Sequence, residues 1–348
     1  MTYQCQIIDA LVLKPARQYQ RQNNKPYTLY NNSFKLRNTL KATLYTVLAL
    51  LAFAANSLLC RMALVHNYID AWNFTALRLL SGALCLGFIV LIQAKPNVNV
   101  VNNNDDIELD VDDRGSWRSS ISLLVYALCF SIAYVELDTG TGALILFSAV
   151  QLTMIGWGIY NKERLSAVQW CSFIIAVIGF VYLMLPSATI PSVIPALLMM
   201  LSGIAWGIYS IRGKVCISPL KTTTFNFARS LFALPVLFMI GFSHLSGLSW
   251  QGVALACASG VLASGIGYSI WYVAMPLLKS SQAAVVQLCV PVIAALAGML
   301  FLKEELSIQF VIASAVIRGA VLVFMLAKQP GHSHSTHSAD KAAANAPK

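Results

Sequence analysis

Residues 230–278 read SLFALPVLFMIGFSHLSGLSWQGVALACASGVLASGIGYSIWYVAMPLL and contain no Asp, Glu, Lys or Arg. Residues 165–211 form a second stretch that lacks all four charged residue types. A membrane-spanning helix needs roughly 20 apolar residues to cross a hydrocarbon core of about 30 Å. Each stretch is therefore long enough for two such helices. A soluble core could not bury so much contiguous apolar sequence, so the chain is predicted to be an all-α membrane protein.

The composition of the 348-residue chain agrees with this prediction. Hydrophobic residues make up 57% of it and charged residues only 11%, whereas soluble domains carry about a quarter. The formal net charge of +10 is typical of chains that bind phosphate backbones. The basic residues lie in the N-terminal arm and short loops, however, so no nucleic-acid partner is predicted. The eight Cys are scattered without a CxxC pair, which favours apolar packing over a metal site or disulfides.

Hydropathy predicts ten spans, and the charges between them predict their orientation. With the N-terminus in the cytoplasm, 19 Lys and Arg lie on the inside and two, Arg61 and Lys303, on the outside. Cytoplasmic loops carry an excess of Lys and Arg, so both termini are predicted to be cytoplasmic. The predicted spans are residues 42–64, 71–93, 119–137, 140–160, 168–185, 193–211, 222–241, 251–275, 281–302 and 307–327.

Internal repeats are the most informative feature of the sequence. Matched positions occur in the same order in both halves, including an Arg, an SIxYV segment and a KExLS segment, which chance similarity between apolar helices does not readily produce. The matched pairs are residues 51–61 with 202–212, Phe74 with Phe225, Arg78 with Arg229, residues 131–135 with 269–273, residues 162–166 with 303–307, and Gln169 with Gln309.

Each repeat holds five predicted spans, and an odd number makes the two copies cross the membrane in opposite directions. Inverted repeats of this kind are found in many secondary transporters, with the substrate site near the midplane and alternating access as the mechanism. The fold is thus predicted as two inverted-topology five-helix repeats. The predicted domains are a basic arm (1–41), a first repeat (42–185) with an acidic loop (94–118), a second repeat (193–327) and a His-containing tail (328–348).

Several motifs carry a family resemblance. They are residues 265–272 (GIGYSIWY), 290–296 (VPVIAAL) and 301–307 (FLKEELS), with Ala205-Trp206-Gly207 at the start of the second repeat and the Arg78 and Arg229 pair. Together they resemble the EamA-type branch of the drug/metabolite transporter (DMT) superfamily over residues 42–327. The first repeat departs from the pattern, with Ala55-Asn56 where Trp-Gly is expected. The resemblance implies a central cavity lined by helices one to four and six to nine. It also implies residence in the bacterial inner membrane and export of amino acids or other metabolites.

Two arginines and two acids are the ionisable candidates for the substrate pathway, because charges inside a bilayer are costly. Arg78 and Arg229 either clamp an anionic group or serve the structure, and their symmetric placement favours the structural role. Glu136 and Asp138 either couple transport to protons and recognise an ammonium group, or face water while Asp138 caps the next helix. These alternatives stay open at the level of sequence.

Polar and aromatic residues at plausible cavity positions complete the predicted pathway, since such groups can bind an amphipathic solute. They are Asn56, Tyr134, Gln151, Trp206, Tyr209, Tyr268, Trp271, Tyr272 and Gln287, with Pro291 as a point of bending. Glu163, Glu304 and Glu305 are interpreted as solvated charges at span ends.

A secondary carrier is the predicted function, because the chain has no Gly-x-x-x-x-Gly-Lys-Ser/Thr motif for ATP. No cofactor, metal or catalytic residue is predicted. The partners are a small-molecule substrate, membrane lipids and, in open alternatives, protons and a second copy of the chain as a homodimer. The competing classes are an intramembrane lipid-modifying enzyme and a non-transporting membrane scaffold. Isolated His66 and His244 argue against the enzyme.

Overall fold

The computed structural model describes residues 27–93, 114–161, 165–185, 193–213, 218–274 and 286–327. Predictions that concern residues 1–26, most of the acidic loop, the turn at residues 162–164 and the His-containing tail therefore lie outside the described residues.

All regular structure in the described ranges is helical, as predicted. Two helices, α7 and α8, are built from consecutive segments of different helical type. The elements are α1 (Tyr27–Val65), α2 (Ala71–Gln93), α3 (Trp117–Ala133), α4 (Thr139–Tyr160), α5 (Ala167–Leu183), α6 (Val193–Gly213), α7 (Pro219–Ser230, Leu231–Ala233, Leu234–Gly241 and Phe242–Gly247), α8 (Trp250–Ala258, Ser259–Ile266 and Gly267–Ala274), α9 (Val290–Leu302) and α10 (Ile308–Leu326).

The helices have the length and surface of an integral membrane protein. Seven of those described, namely α1, α2, α4, α6, α7, α8 and α10, are long and apolar enough to cross a bilayer. The three others, α3, α5 and α9, are apolar but shorter. Large apolar side chains are widely exposed, for example Leu300 (79%) and Leu91 (74%). Such a surface is unsuited to water but suits lipid.

Most predicted boundaries agree with the described helices to within a few residues, and that of α1 differs. Helix α1 begins at Tyr27, so part of the predicted polar arm is helical, while its apolar span is Ala42–Val65. Helix α9 is described over Val290–Leu302, and its predicted start at residue 281 lies outside the described residues. Pro291 lies in the first turn of this described helix, where a helix leaves its N–H groups without internal partners and Pro is tolerated. Bending at Pro291 stays a prediction.

Helix α8 contains an eight-residue π-helical segment, Ser259–Ile266. The segment is rich in small residues, and its Gly260 allows the helix to touch α2. A Cβ on Gly260 would lie 2.4 Å from the carbonyl oxygen of Arg78, closer than side chains tolerate. Long π-helical segments are rare and are frequent at functional sites.

The core lies where α1, α3, α4, α6 and α8 meet, while α5 and α10 pack against each other at the edge. Ser166 and Gln169 form a reciprocal capping box at the start of α5, and Ser307 caps α10. These caps satisfy N–H groups that the first turn of a helix leaves unpaired.

Candidate functional site

Four buried aromatic side chains form a cluster at the centre of the molecule. Phe53 of α1 contacts the rings of Trp206 (6.5 Å between centroids), Tyr268 (6.0 Å) and Trp271 (5.7 Å) edge-on. Such edge contacts favour a fixed arrangement of rings. We call Phe53, Trp206, Tyr268 and Trp271 the aromatic cluster. The structure brings together three residues that the sequence placed on the substrate pathway and adds Phe53.

A tyrosine hydroxyl connects this cluster to polar groups on α1 and α2. The Tyr126 hydroxyl accepts hydrogen bonds from Asn56 Nδ2 (3.1 Å) and Arg78 Nη2 (2.9 Å). It also lies 3.4 Å from the hydroxyl of Tyr268. Asn56 in turn accepts a hydrogen bond from Ser259 Oγ at 2.7 Å, which links α1 to the π-helical segment. Polar groups from α1, α2 and α8 thus converge on one hydroxyl oxygen of α3.

Arg78 is buried (2% exposed) and is held by aromatic and hydroxyl groups. Its guanidinium lies over the rings of Tyr126 (5.1 Å to the centroid) and Phe130 (4.9 Å). Its Nε donates to Ser264 Oγ of the π-helical segment at 3.3 Å. Its Nη1 has no hydrogen-bond partner among the described residues.

Arg229, the matched arginine of the second repeat, lies in different surroundings. It is partly exposed, donates to the carbonyl of Arg114 and lies 5.9 Å over the ring of Trp117. The symmetric placement in sequence therefore does not give the two arginines the same environment. Of the two, Arg78 is the one that contacts the central groups.

A small, partly open cavity lies beside these groups. The volume in which the centre of a water molecule can lie is about 10 Å³, so the cavity has room for about one ordered water. Helices α1, α3, α4, α6 and α8 supply its walls. The lining residues are Phe53, Asn56, Ser57, Tyr126, Phe130, Leu146, Phe147, Trp206 and Tyr268.

A second group of charges joins the ends of α1, α4 and α9. Arg61 Nε donates to Glu304 Oε1 at 3.4 Å, and Arg61 Nη2 lies 3.7 Å from Asp138 Oδ1. Arg61 Nη1 also donates to the carbonyls of Tyr134 (3.0 Å) and Val135 (2.7 Å). We call Arg61, Asp138 and Glu304 the Arg61 cluster. Its arginine satisfies the free carbonyls that the C-terminus of α3 exposes.

Glu304 caps α4 from a distance in sequence. Its Oε2 accepts a hydrogen bond from the N–H of Thr139 at 2.8 Å, and its Oε1 accepts one from Thr139 Oγ1 at 3.1 Å. Asp138 stands at the N-cap position of α4 but makes no capping hydrogen bond with its side chain. Asp138 therefore stands at the N-cap without capping α4 through its side chain, and the interpretation of Glu304 as a solvated charge is wrong.

The two predicted acids occupy different surroundings. Glu136 is exposed in the turn after α3. Asp138 is partly buried: loss of hydration and the neighbouring Glu304 raise the pKa of its carboxyl from 3.8 to about 6, while Arg61 acts in the opposite direction. Asp138 is consequently the acid that can exchange a proton near neutral pH.

The remaining predicted residues are spread along the helices. Tyr134 is buried next to the Arg61 cluster, with its hydroxyl donating to the carbonyl of Thr139 at 3.2 Å. Tyr209 is buried and stacks on Trp206 at 5.5 Å. Gln151 is buried on α4, Gln287 is partly buried before α9, and Tyr272 belongs to α8 by its backbone.

Tyr126, Phe130, Arg61 and Glu304 are functional candidates that the sequence did not single out. The repeat contains a signal for the first two, because the offset that aligns Ser131 with Ser269 also aligns Tyr126 with Ser264 and Phe130 with Tyr268. Both residues of each pair lie next to Arg78 or the cavity. The Arg61 cluster has a weaker signal. Arg61 ends the matched segment 51–61, and Glu304 lies in the matched segment 303–307.

Comparison with known proteins agrees with this architecture. An uncharacterized protein of Pseudomonas aeruginosa is 44% identical over 82% of this chain and 94% of its own length. An uncharacterized transporter of Archaeoglobus fulgidus is 27% identical over 56% of this chain and 70% of its own. A solved crystal structure shares the fold with a TM-score of 0.53 and 16% identity, covering 81% of this chain and 95% of the other.

The family assignment follows from the second half and from these relatives. Residues 193–326 match the EamA-like transporter family. The match spans α6 to α10, which contain Trp206, Tyr268, Trp271 and Glu304. The chain is an integral membrane protein that belongs to the EamA-like transporter family.

Proposed function

We propose that the protein is a secondary transporter that moves a small metabolite across the membrane by alternating access, with export as the direction. In this proposal the ten helices form two inverted repeats, residues 42–185 and 193–327. The substrate site lies between the halves, as in other carriers built from inverted repeats.

Reciprocal hydrogen bonds at the edge of the molecule support the inverted repeat. Gln309 at the start of α10 donates from Nε2 to the carbonyls of Tyr182 (2.8 Å) and Leu185 (3.0 Å), at the end of α5. Gln169 at the start of α5 donates to the carbonyl of Phe324, near the end of α10, at 3.4 Å. Since Gln169 and Gln309 are matched positions of the repeat, each copy makes the same contact with the other.

Helix packing supports the same symmetry. Helix α1 packs on α8 and α9, and its counterpart α6 packs on α3 and α4. Helix α2 packs on its own counterpart α7, as α5 does on α10. An internal two-fold axis in the membrane plane exchanges these pairs.

The observation that carries the transport proposal is the small central cavity, whose walls come from both halves. Asn56, Tyr126 and Arg78 supply polar groups beside it, and the aromatic cluster supplies apolar surface. Concave sites with a few convergent polar groups in an apolar wall are typical of small-molecule binding. A cavity with room for about one water must widen to admit a solute, which is the change that alternating access requires.

The Arg61 cluster acts as a gate in this mechanism. It joins α1 of the first half to the turn after α9 in the second half. Under the orientation that the basic loops favour, both termini are cytoplasmic and this cluster faces outward. The bacterial inner membrane is the compartment we propose. Opening the outer side then requires the contact between Arg61 and Glu304 to break.

A proton on Asp138 links this gate to pH. The raised pKa means that the closed cluster binds a proton more tightly than a solvated carboxylate does. Between about pH 4 and pH 6 the closed form is therefore favoured as the pH falls, because protonation removes the cost of burying the Asp138 charge and its repulsion from Glu304. A proton taken up from outside in this way closes the gate behind a released solute.

Flux measurements on purified protein in proteoliposomes test the proposal. A panel of radiolabelled amino acids and other small metabolites is expected to contain at least one solute that exchanges faster than in protein-free vesicles. Counterflow, in which unlabelled solute inside accelerates uptake of the label, should accompany it and is not shown by a channel. A folded protein that exchanges no solute contradicts the proposal. Chemical conversion of a lipid without flux would favour the enzyme, and neither activity would favour the scaffold.

A further inference from the structure

Arg78 is a buried cation that has no acidic partner in the described part of the chain. Among the described residues no carboxylate lies within salt-bridge distance of it, although Arg61 pairs with two. A guanidinium stays protonated in proteins, so Arg78 cannot lower the cost of burial by losing its charge. Removing a charge from water costs several kcal/mol unless partners compensate.

The partners that Arg78 has compensate only in part. Nη2 and Nε are satisfied by the hydroxyls of Tyr126 and Ser264, and two aromatic faces attract the charge. Hydroxyls and rings are neutral, however, and Nη1 keeps its two N–H donors without a protein acceptor in the described part of the chain. A buried donor without a partner costs free energy that an incoming acceptor recovers.

The position of this unused donor relates it to the cavity. Tyr126 and Phe130, which the guanidinium covers, are both wall residues of the cavity. The cation is therefore one side chain away from the space in which the proposed function seats its substrate.

The chemistry of the surroundings selects the class of ligand. A guanidinium suits carboxylate and phosphate alike. Because Arg78 is a single positive charge, it neutralises a monoanionic carboxylate, whereas a doubly charged phosphate would keep uncompensated charge in a buried site. The remaining walls are the rings of Phe53, Phe147, Trp206 and Tyr268, which suit an apolar or aromatic body.

We propose that the transported solutes are monocarboxylates with an apolar or aromatic body, and that Arg78 Nη1 binds their carboxylate. This inference rests on the proposed function, because it names the substrate of the same site. It also gives the π-helical segment a role: Ser264 holds Nε, so a bound carboxylate is connected through one side chain to α8.

Binding to purified full-length protein tests the proposal with probes that differ only in charge. Phenylacetate, phenylacetamide and phenethylamine have the same ring and nearly the same size, and a series of aliphatic carboxylates is paired with its amides. Carboxylates are expected to raise the Tm and to be displaced by one another, whereas amides and amines are not. Stabilisation by amides or amines equal to that by carboxylates, or by no carboxylate at all, overturns the proposal.

Variants assign the effect to Arg78. Arg78→Gln should weaken carboxylate binding by at least about tenfold, as expected for loss of a hydrogen bond to a charged group. Arg318→Gln is the matched control, because Arg318 also lies inside a helix but belongs to α10 at the edge. If Arg78→Gln does not yield folded protein, Arg78→Lys takes its place. Arg78→Lys should weaken carboxylate binding severalfold, and Arg318→Lys should leave it unchanged. Wild-type affinity in the folded Arg78 variant contradicts the assignment.

The two proposals fail in different ways. If the wild-type protein transports an amine or a neutral solute and ignores carboxylates, the transporter stands and the carboxylate site is wrong. If carboxylates bind but no solute crosses the membrane in proteoliposomes, the site stands and the transporter is wrong.

Discussion

Replacing Glu304 by Gln should weaken the Arg61 cluster and increase access to the interior. The Glu304 carboxylate accepts hydrogen bonds from Thr139 N–H, Thr139 Oγ1 and Arg61 Nε, and its side chain is only 11% exposed. A Gln amide has one acceptor oxygen. If this oxygen continues to cap α4, the amide NH2 faces the guanidinium and the contact between the halves is lost.

The size of the effect follows from the contact that is removed. A hydrogen bond to a charged group contributes about 1.5–3 kcal/mol, so we expect the closed form to lose about 2 kcal/mol. This corresponds to an open population about 30-fold larger, since 1.4 kcal/mol is a factor of ten.

Native Cys60 reports this change. It is fully buried in α1, next to Arg61, so a polar thiol reagent should reach it only when the cluster opens. In purified protein that keeps Cys60 as its sole cysteine, Glu304→Gln should raise the labelling rate about 30-fold. Glu305→Gln is the control, because Glu305 follows Glu304 in the chain but is exposed and lies outside the cluster. Equal labelling rates in Glu304→Gln, Glu305→Gln and the parent would refute the gate.

Three further changes have defined outcomes. Asp138→Asn mimics the protonated acid and should slow labelling of Cys60 at pH 7; its labelling rate relative to that of a free thiol at the same pH, which corrects for the thiolate fraction, should no longer change between about pH 4 and 6. Glu136→Gln should leave both unchanged, and an effect of Glu136→Gln without one of Asp138→Asn would contradict the assignment of the proton to Asp138. Gly260→Ala places a Cβ against backbone of α2, so about 1–3 kcal/mol of stability should be lost, and a wild-type Tm would contradict that close approach. Gln309→Ala removes the hydrogen bonds from α10 to the end of α5, and Gln169→Ala removes the one from α5 to the end of α10; each should lower stability by about 1 kcal/mol, and a decrease in only one variant, measured by thermal unfolding, would argue against equivalence of the repeats.

The helices could be predicted from sequence because their signal is local. Apolar runs of span length and the charges between them place most boundaries within a few residues of the structure, and helix type follows from the need to satisfy backbone groups in lipid. The internal repeat also pairs Gln169 with Gln309 from sequence alone. Neither step requires knowledge of which helix faces which.

The site was predicted less well, because it depends on contacts between distant residues. Glu304 reads as an ordinary charge in a turn, and only the structure shows it capping a helix 165 positions earlier in the chain. Arg78 and Arg229 are matched in sequence, yet one is buried and the other partly exposed. Symmetry in sequence constrains the backbone, whereas the environment of a side chain depends on neighbours that the two repeats do not share.

The π-helical segment of α8 has a mechanical consequence for the residues that follow it. A π-helix carries more residues per turn than an α-helix, so converting part of Ser259–Ile266 to α-helical hydrogen bonding changes the register of everything downstream. Each residue of register amounts to roughly 100° about the helix axis. Tyr268 and Trp271 follow the end of this segment by two and five residues, so the same change of register would carry them away from Phe53. A twist confined to two turns of backbone is thus enough to uncover the centre of the protein.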